Sequence, residues 1–190
     1  MDKVPAPRTP GTWRAADGSA VEFNDAKAAW ALSAREVLIR TAKHYNAHVT
    51  YKELAEQVQE LSGIRTRSPM RHWIGSVLGL SVDDSHQRGE PALTALCVHQ
   101  DETVAESYTY VLTLAGLDVP KDLEKHAANA RLECHRFFGA DLPPGGGRAT
   151  LTPLVAAARE RAAKAVERPI FLCQSCFTQL PNSGQCDNCS

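Results

Sequence analysis

Residues 49–81 read VTYKELAEQVQELSGIRTRSPMRHWIGSVLGLS, and two helices separated by a turn are legible in them. Thr50 stands three residues before Glu53. At that spacing a hydroxyl accepts the third helical amide while the carboxylate reaches back to the capping residue. Tyr51, Leu54, Ala55, Val58 and Leu61 recur at intervals of three and four, which lines one side of a helix. Gly63 is the stop signal, and Val49-Thr50 in front reads as a short strand. The second half begins with Ser68 as a cap and Pro69 in the first helical position. Met70, Trp73, Ile74, Val77 and Leu78 then fall at i, i+3, i+4, i+7 and i+8, a full core stripe. The opposite side shows Arg71, His72, Gly75, Ser76 and Gly79. Two glycines cost about 1 kcal/mol each in a helix interior, so a smooth face with a basic tip is maintained against propensity.

Upstream, a helical pattern starts at Asn24 and carries Trp30, Ala34, Val37, Leu38, Thr41 and Tyr45 on one face. Residues 1–22 are rich in Pro, Gly and Ala and read as a flexible N-terminal arm, with Trp13 as its one anchor. Downstream, "PALTALCVHQ" (91–100) is apolar on both sides, "DETVAES" (101–107) is a polar turn, and "YTYVLTLAGL" (108–117) alternates as a half-buried strand should. Together they read as a hairpin in which Tyr108 and Tyr110 share a core face. Residues 121–138 return to helix, with Leu123, Ala127, Ala130, Cys134, Phe137 and Phe138 inward. "GADLPPGGGRAT" (139–150) has the composition of a linker. Thr152-Pro153 opens a last helix with Leu154, Val155, Ala158, Ala162 and Val166 inward. The expected organisation is an arm (1–22), a main domain (23–139), a linker (140–150), a helix (151–168) and a small C-terminal segment (169–190).

That segment ends in CQSCFTQLPNSGQCDNCS (173–190). Cys173 and Cys176 form one C-x-x-C pair, Cys186 and Cys189 the other. Two such turns place four sulfurs around one tetrahedral ion, and "PNSGQ" supplies the reversal between them. Phe171, Phe177 and Leu180 are available to pack around the turns, but so small a piece has almost no core, and the metal must supply its folding energy. One structural Zn²⁺ per chain is expected. Iron in the same cage, or a dithiol redox pair, is the alternative. Four thiolates close the coordination sphere, so no position is left for a substrate water.

The formal net charge of the 190 residues is −1, which excludes a global pull toward nucleic acid. Locally, residues 62–80 hold Arg65, Arg67 and Arg71 with no acid. Residues 81–106 hold Asp83, Asp84, Glu90, Asp101, Glu102 and Glu106 against Arg88 alone. Nothing resembles a secretory signal or a membrane span, so a cytoplasmic location is expected. "PPGGGR" lacks the lysine and preceding strand of a phosphate-binding loop. His44 and His48 sit four apart without a third ligand. No Ser/His/Asp set or carboxylate pair converges, and a non-enzymatic protein is expected.

The order helix, short strand, helix, helix, strand, strand resembles a winged helix, carried by "VTYKELAEQV", the helix from Ser68 and the hairpin from Pro91 to Leu114. "VTYKELAEQV" also resembles the opening of the DNA-binding half of alkylguanine-DNA alkyltransferases and their inactive relatives. Their methyl-accepting Pro-Cys-His-Arg motif is matched only by Cys134-His135-Arg136, with Glu133 in place of the proline. The resemblance implies DNA contact rather than repair chemistry. The expected fold is α+β and mainly helical: a winged-helix-like domain, a helix and a zinc ribbon. In this reading Arg71 and His72 enter the major groove of double-stranded DNA, Arg65 and Arg67 touch phosphates, and Gly75 and Ser76 allow close approach. A transcription regulator or a factor of phage–host defence fits. The alternative is a protein–protein interaction adaptor whose helical module and zinc ribbon dock partner proteins.

Overall fold

Trp30 and Trp73 lie against each other with ring centroids 4.4 Å apart, and both are fully buried. The computed structural model describes residues 11–166, 171–181 and 184–189, and around this tryptophan pair its first unit is assembled. Trp30 comes from α1 (Phe23–Ala42), whose face Ala26, Trp30, Ala34, Val37 and Leu38 is wholly inside. Trp73 immediately precedes α3 (Ile74–Gln87), which buries Ile74, Val77 and Leu78. Between them, α2 (Tyr51–Ser62) adds Leu54, Ala55 and Val58. Burial of each aliphatic side chain contributes about 1.5–3 kcal/mol, and the aromatic pair adds about 0.5–1.5 kcal/mol beyond its area.

The cap and the stop expected for α2 hold, whereas Leu61, expected inward, is exposed. Its cap Thr50 accepts from the Glu53 amide, and Glu53 accepts from the Thr50 amide at 2.8 Å. Gly63 closes the helix in the left-handed region, φ 65°. Val49–Thr50 is a strand, β2, but its partner is parallel: β4 (Cys97–Val98).

Three expectations fail. The turn after α2 contains a strand, β3 (Ile64–Thr66), which pairs antiparallel with β1 (Thr12–Arg14) in the register Thr12↔Thr66, Trp13↔Arg65 and Arg14↔Ile64. Residues 11–22 are therefore structured; residues 1–10 of the expected arm lie outside the described residues. The start of the third helix is also displaced. The Trp73 indole donates to the Ser68 carbonyl, so residues Met70–His72 wind as a single tight 3₁₀ turn and α3 begins only at Ile74.

The third correction concerns the wing. Residues 91–117 form no two-stranded hairpin, and their one antiparallel contact among the described residues is an isolated bridge between Val98 and Val104. Leu93–Leu96 is a buried 3₁₀ turn, β4 has two residues, and "ESYTYVLTL" is a helix, α4 (Glu106–Leu114). Tyr108 and Leu112, four apart, are both buried, whereas Tyr110 turns outward and donates to Asp83. The β-branched and aromatic composition suits a strand, but propensity is a weak prior that packing overrides. A stop signal for a helix was present: Gly116 at φ 65° closes α4, with its amide bonded to Thr113 and that of Leu117 bonded to Leu112. The result is an α+β, mainly helical fold without a β-wing.

Helix α5 (Leu123–Phe137) packs Ala127, Leu132 and Cys134 inward, while Phe137 is exposed. The glycine-rich stretch after it is fastened to the domain. The Arg136 guanidinium donates to the Gly146 carbonyl, Tyr45 bonds the backbone of Arg148, and Thr150 donates to Asn46. The chain divides into two compact units at the Val155–Ala156 step. Helix α6 (Pro153–Val166) crosses that step. Its expected inward face is not buried: Val155 is inside, but Leu154, Ala158 and Ala162 are exposed. No helix among the described residues is long and apolar enough to cross a membrane.

Candidate nucleic-acid interface and metal centre

The antiparallel pairing of β1 and β3 sorts their side chains by alternation. Thr12 and Ile64 face inward and are buried; Trp13 and Arg65 share the outer face. Arg67, two residues on, sets its guanidinium 5.7 Å from the Trp13 ring centroid, within cation–π range. Four residues later come Arg71 and His72, both exposed on the 3₁₀ turn. Four residues of chain span at most about 14 Å, so Arg67 and Arg71 lie on neighbouring surface. Gly75 and Ser76 open α3 and are exposed too. No side chain caps this helix. Among the described residues, none of Arg65, Arg67, Arg71 and His72 has a carboxylate partner.

Basic residues at a helix N-terminus oppose its dipole; their placement does not serve the helix. The far end of α3 behaves in the opposite way. Asp84 contacts Arg35 at 3.1 Å and Arg88 at 2.9 Å, and Glu90 accepts both Arg35 nitrogens at 2.7 and 2.8 Å. Asp101 holds Thr103, and Glu102 accepts from the Leu154 amide. The acidic stretch 81–106 is therefore largely consumed by internal bonds, while the basic stretch before it is left free. Trp13, expected as the anchor of an arm, is held on a paired strand, β1. Its signal was the TWR triplet, a plausible strand hidden in an arm-like composition.

The two remaining thiols of the first unit are not poised for chemistry. Cys134 is fully buried, with its Sγ 3.4 Å from the Ala92 carbonyl; burial pushes its pKa up to about 12. Burial likewise raises Cys97. His44 is exposed, and His48 stands 3.5 Å from Glu102 rather than in a metal site.

In the second unit the first cysteine pair sits on a tight reversal. The Leu180 amide donates to Phe171 at 2.8 Å, the Cys173 amide to Thr178 and the Phe177 amide to Cys173. Phe177 adopts φ 55° at the bend. Backbone amides of Cys176 and Ser175 hold the Cys173 thiol below its ordinary pKa, and the Thr178 hydroxyl and amide lower Cys176 to about 6. The four sulfurs of Cys173, Cys176, Cys186 and Cys189 lie within 4.8 Å of one another, those of Cys176 and Cys186 at 3.4 Å. Zinc–sulfur bonds of about 2.3 Å in a tetrahedron require sulfurs about 3.8 Å apart. The cage therefore fits one tetrahedral metal ion. The expected packing of aromatics around it does not occur: Phe171 and Phe177 are 66% and 75% exposed.

No protein-family model matches this chain, and neither does any curated protein or solved structure. The resemblance to winged helices and to the alkyltransferase DNA-binding half thus gains no support from relatives.

Proposed function

We propose that this is a cytoplasmic, non-enzymatic DNA-binding protein with a structural zinc ribbon. The observation that carries the reading is the segregation of charge along one continuous stretch. Arg65, Arg67, Arg71 and His72 are free of acids, while the acids that follow them are tied to Arg35, Arg88 and Tyr110. The missing wing changes the mode of contact. Arg71 and His72 at the start of α3 meet the major groove, where arginine pairs with guanine. The β1–β3 ribbon, with Trp13 between Arg65 and Arg67, lies against the backbone in place of the wing. Gly75 and Ser76 keep the approach open. Zinc suits the four-thiolate cage because it is redox-inert and prefers a closed tetrahedral S₄ site. A role in transcription regulation or in phage–host defence accords with such a module.

The test is binding of the metal-loaded chain to duplex DNA by fluorescence anisotropy. Two arginines on phosphates, Arg65 and Arg67, give a log–log salt slope of about −1.8, so affinity falls about 12-fold between 50 and 200 mM salt. Arg71→Glu removes binding with no change in circular dichroism. Absence of binding at 50 mM salt sinks the proposal.

One observation favours a second reading, a protein–protein interaction adaptor. Phe171, Leu172 and Phe177 are all more than half exposed on the small ribbon, where apolar surface is a docking feature. In that case a stoichiometric partner copurifies through high salt and is lost on Phe177→Ser, while Arg71→Glu has no effect.

A further inference from the structure

Helix α5 carries an arginine and a histidine on the side that packs inward. Arg131 is 5% exposed and His135 2%, and four residues apart they lie one turn from each other on the same face. Each keeps an unsatisfied polar atom in the interior, Nη2 of Arg131 and Nε2 of His135, with no hydrogen-bond partner among the described residues. The Arg131 guanidinium makes one long contact, from Nη1 to the Ala95 carbonyl at 3.4 Å. No carboxylate stands within ion-pair distance of it. Glu124, two turns earlier, acts on it through space: Oε1 accepts the Val104 amide, and Oε2 is buried without a hydrogen-bond partner among the described residues. Nδ1 of His135 is 2.8 Å from the Ala42 carbonyl. A carbonyl only accepts, so Nδ1 carries the proton and Nε2 is the open acceptor of the neutral ring.

Both side chains line one cavity of about 180 Å³, together with Asn46, Leu132, Arg148 and Thr150. Its lining residues include the buried Arg131 and His135, the exposed Asn46, Arg148 and Thr150 at its rim, and no acidic residue. The roof is the returning chain, fixed in place by the bonds from Tyr45 to Arg148 and from Thr150 to Asn46. A buried guanidinium with no carboxylate within ion-pair distance is unfavourable unless a further acceptor reaches it. Arginine does not escape this by losing its proton. The volume is below the roughly 300–1,000 Å³ that encloses whole cofactors and equals about six waters at ~30 Å³ each.

We propose that this cavity binds a small oxyanion of the phosphate class. The anionic oxygens accept from Arg131 and Arg148, and the P–OH of hydrogen phosphate donates to Nε2 of His135. The inference is independent of the DNA reading. It also specifies a preference. Sulfate carries no proton at neutral pH, so it would set a bare oxygen against the Nε2 lone pair.

The experiment is calorimetric titration of the intact metal-loaded chain, free of DNA, with inorganic phosphate, sulfate and adenosine monophosphate at matched ionic strength. The expected result is one saturable phosphate site, with sulfate at least about tenfold weaker and the nucleotide no tighter than phosphate. Arg148→Gln leaves the strap in place, because Tyr45 holds that residue by its backbone, and weakens phosphate at least about tenfold. In ¹⁵N spectra the His135 Nε2 resonance moves with phosphate and not with chloride. Phosphate that stabilises the chain no more than chloride overturns the proposal. So does sulfate equal to phosphate, tighter binding of the nucleotide, or full affinity in both Arg148→Gln and Arg131→Gln.

Discussion

The phenolic oxygen of Tyr45 is bonded to both backbone groups of Arg148. It accepts the amide hydrogen at 2.8 Å and donates its own to the carbonyl at 2.9 Å. One side chain just after α1 thereby stands in for a paired strand and fastens a glycine-rich stretch 103 residues away.

That clamp makes Gly147 irreplaceable. It adopts φ 74°, and a Cβ there would meet Tyr45 Cε2 at 2.9 Å and Leu132 Cδ1 at 3.2 Å. Gly147→Ala adds the backbone strain of about 1–2 kcal/mol to a clash with an aromatic ring, and is expected to destabilise by about 2–4 kcal/mol. Gly146→Ala has a similar φ but its Cβ meets nothing closer than 3.7 Å; only the strain remains. Denaturant unfolding of the two variants separates the terms.

The cap of α2 has a signature in pH. The Thr50 amide and hydroxyl hold Glu53 below its ordinary pKa of 4.5. The unfolded chain therefore binds more protons at acid pH, and the stabilisation is present above the unfolded value and lost as pH falls through the folded one. Thr50→Ala is expected to cost about 1 kcal/mol at pH 7. Glu53→Ala should also destabilise at pH 7, and the gap from wild type should narrow as pH falls below 4.5.

Ion pairs in this chain are unequal. Arg35 is 19% exposed and gripped bidentately by Glu90, which is 15% exposed. Glu90→Gln should cost about 1–3 kcal/mol, with little relief from salt. Lys164–Glu160, two-thirds exposed on α6, is an ordinary surface pair, and Glu160→Gln should leave thermal unfolding unchanged.

Metal removal should act on one unit only. Elemental analysis is expected to give about one ion per chain, and a strong chelator should abolish the dispersed resonances of residues 171–189. The unfolding midpoint of the first unit should stay within error, because its core of Trp30, Trp73 and their neighbours involves no cysteine of the cage. Cys186→Ser should reproduce the chelated state.

Much of this protein was determined locally and could be read from the chain. The capping box at Thr50, the stop at Gly63, the buried stripe from Trp73 to Leu78 and the two C-x-x-C pairs each depend on residues a few positions apart. Spacing alone specifies such features. The tertiary structure decided the rest, because the partners are distant in sequence. "YTYVLTL" has the composition of a strand and becomes a helix since Tyr108 and Leu112 find a pocket beside Ala95 and Ala127. The triplet at Thr12 looks like part of a tail until β3 supplies its hydrogen bonds. Three glycines resemble a tether until one phenol takes hold of the residue after them. A charge at Arg131 looks like surface until α5 is docked. Short-range hydrogen bonds and periodicity are encoded where they occur, whereas burial is a property of what a segment meets after the chain has closed on itself.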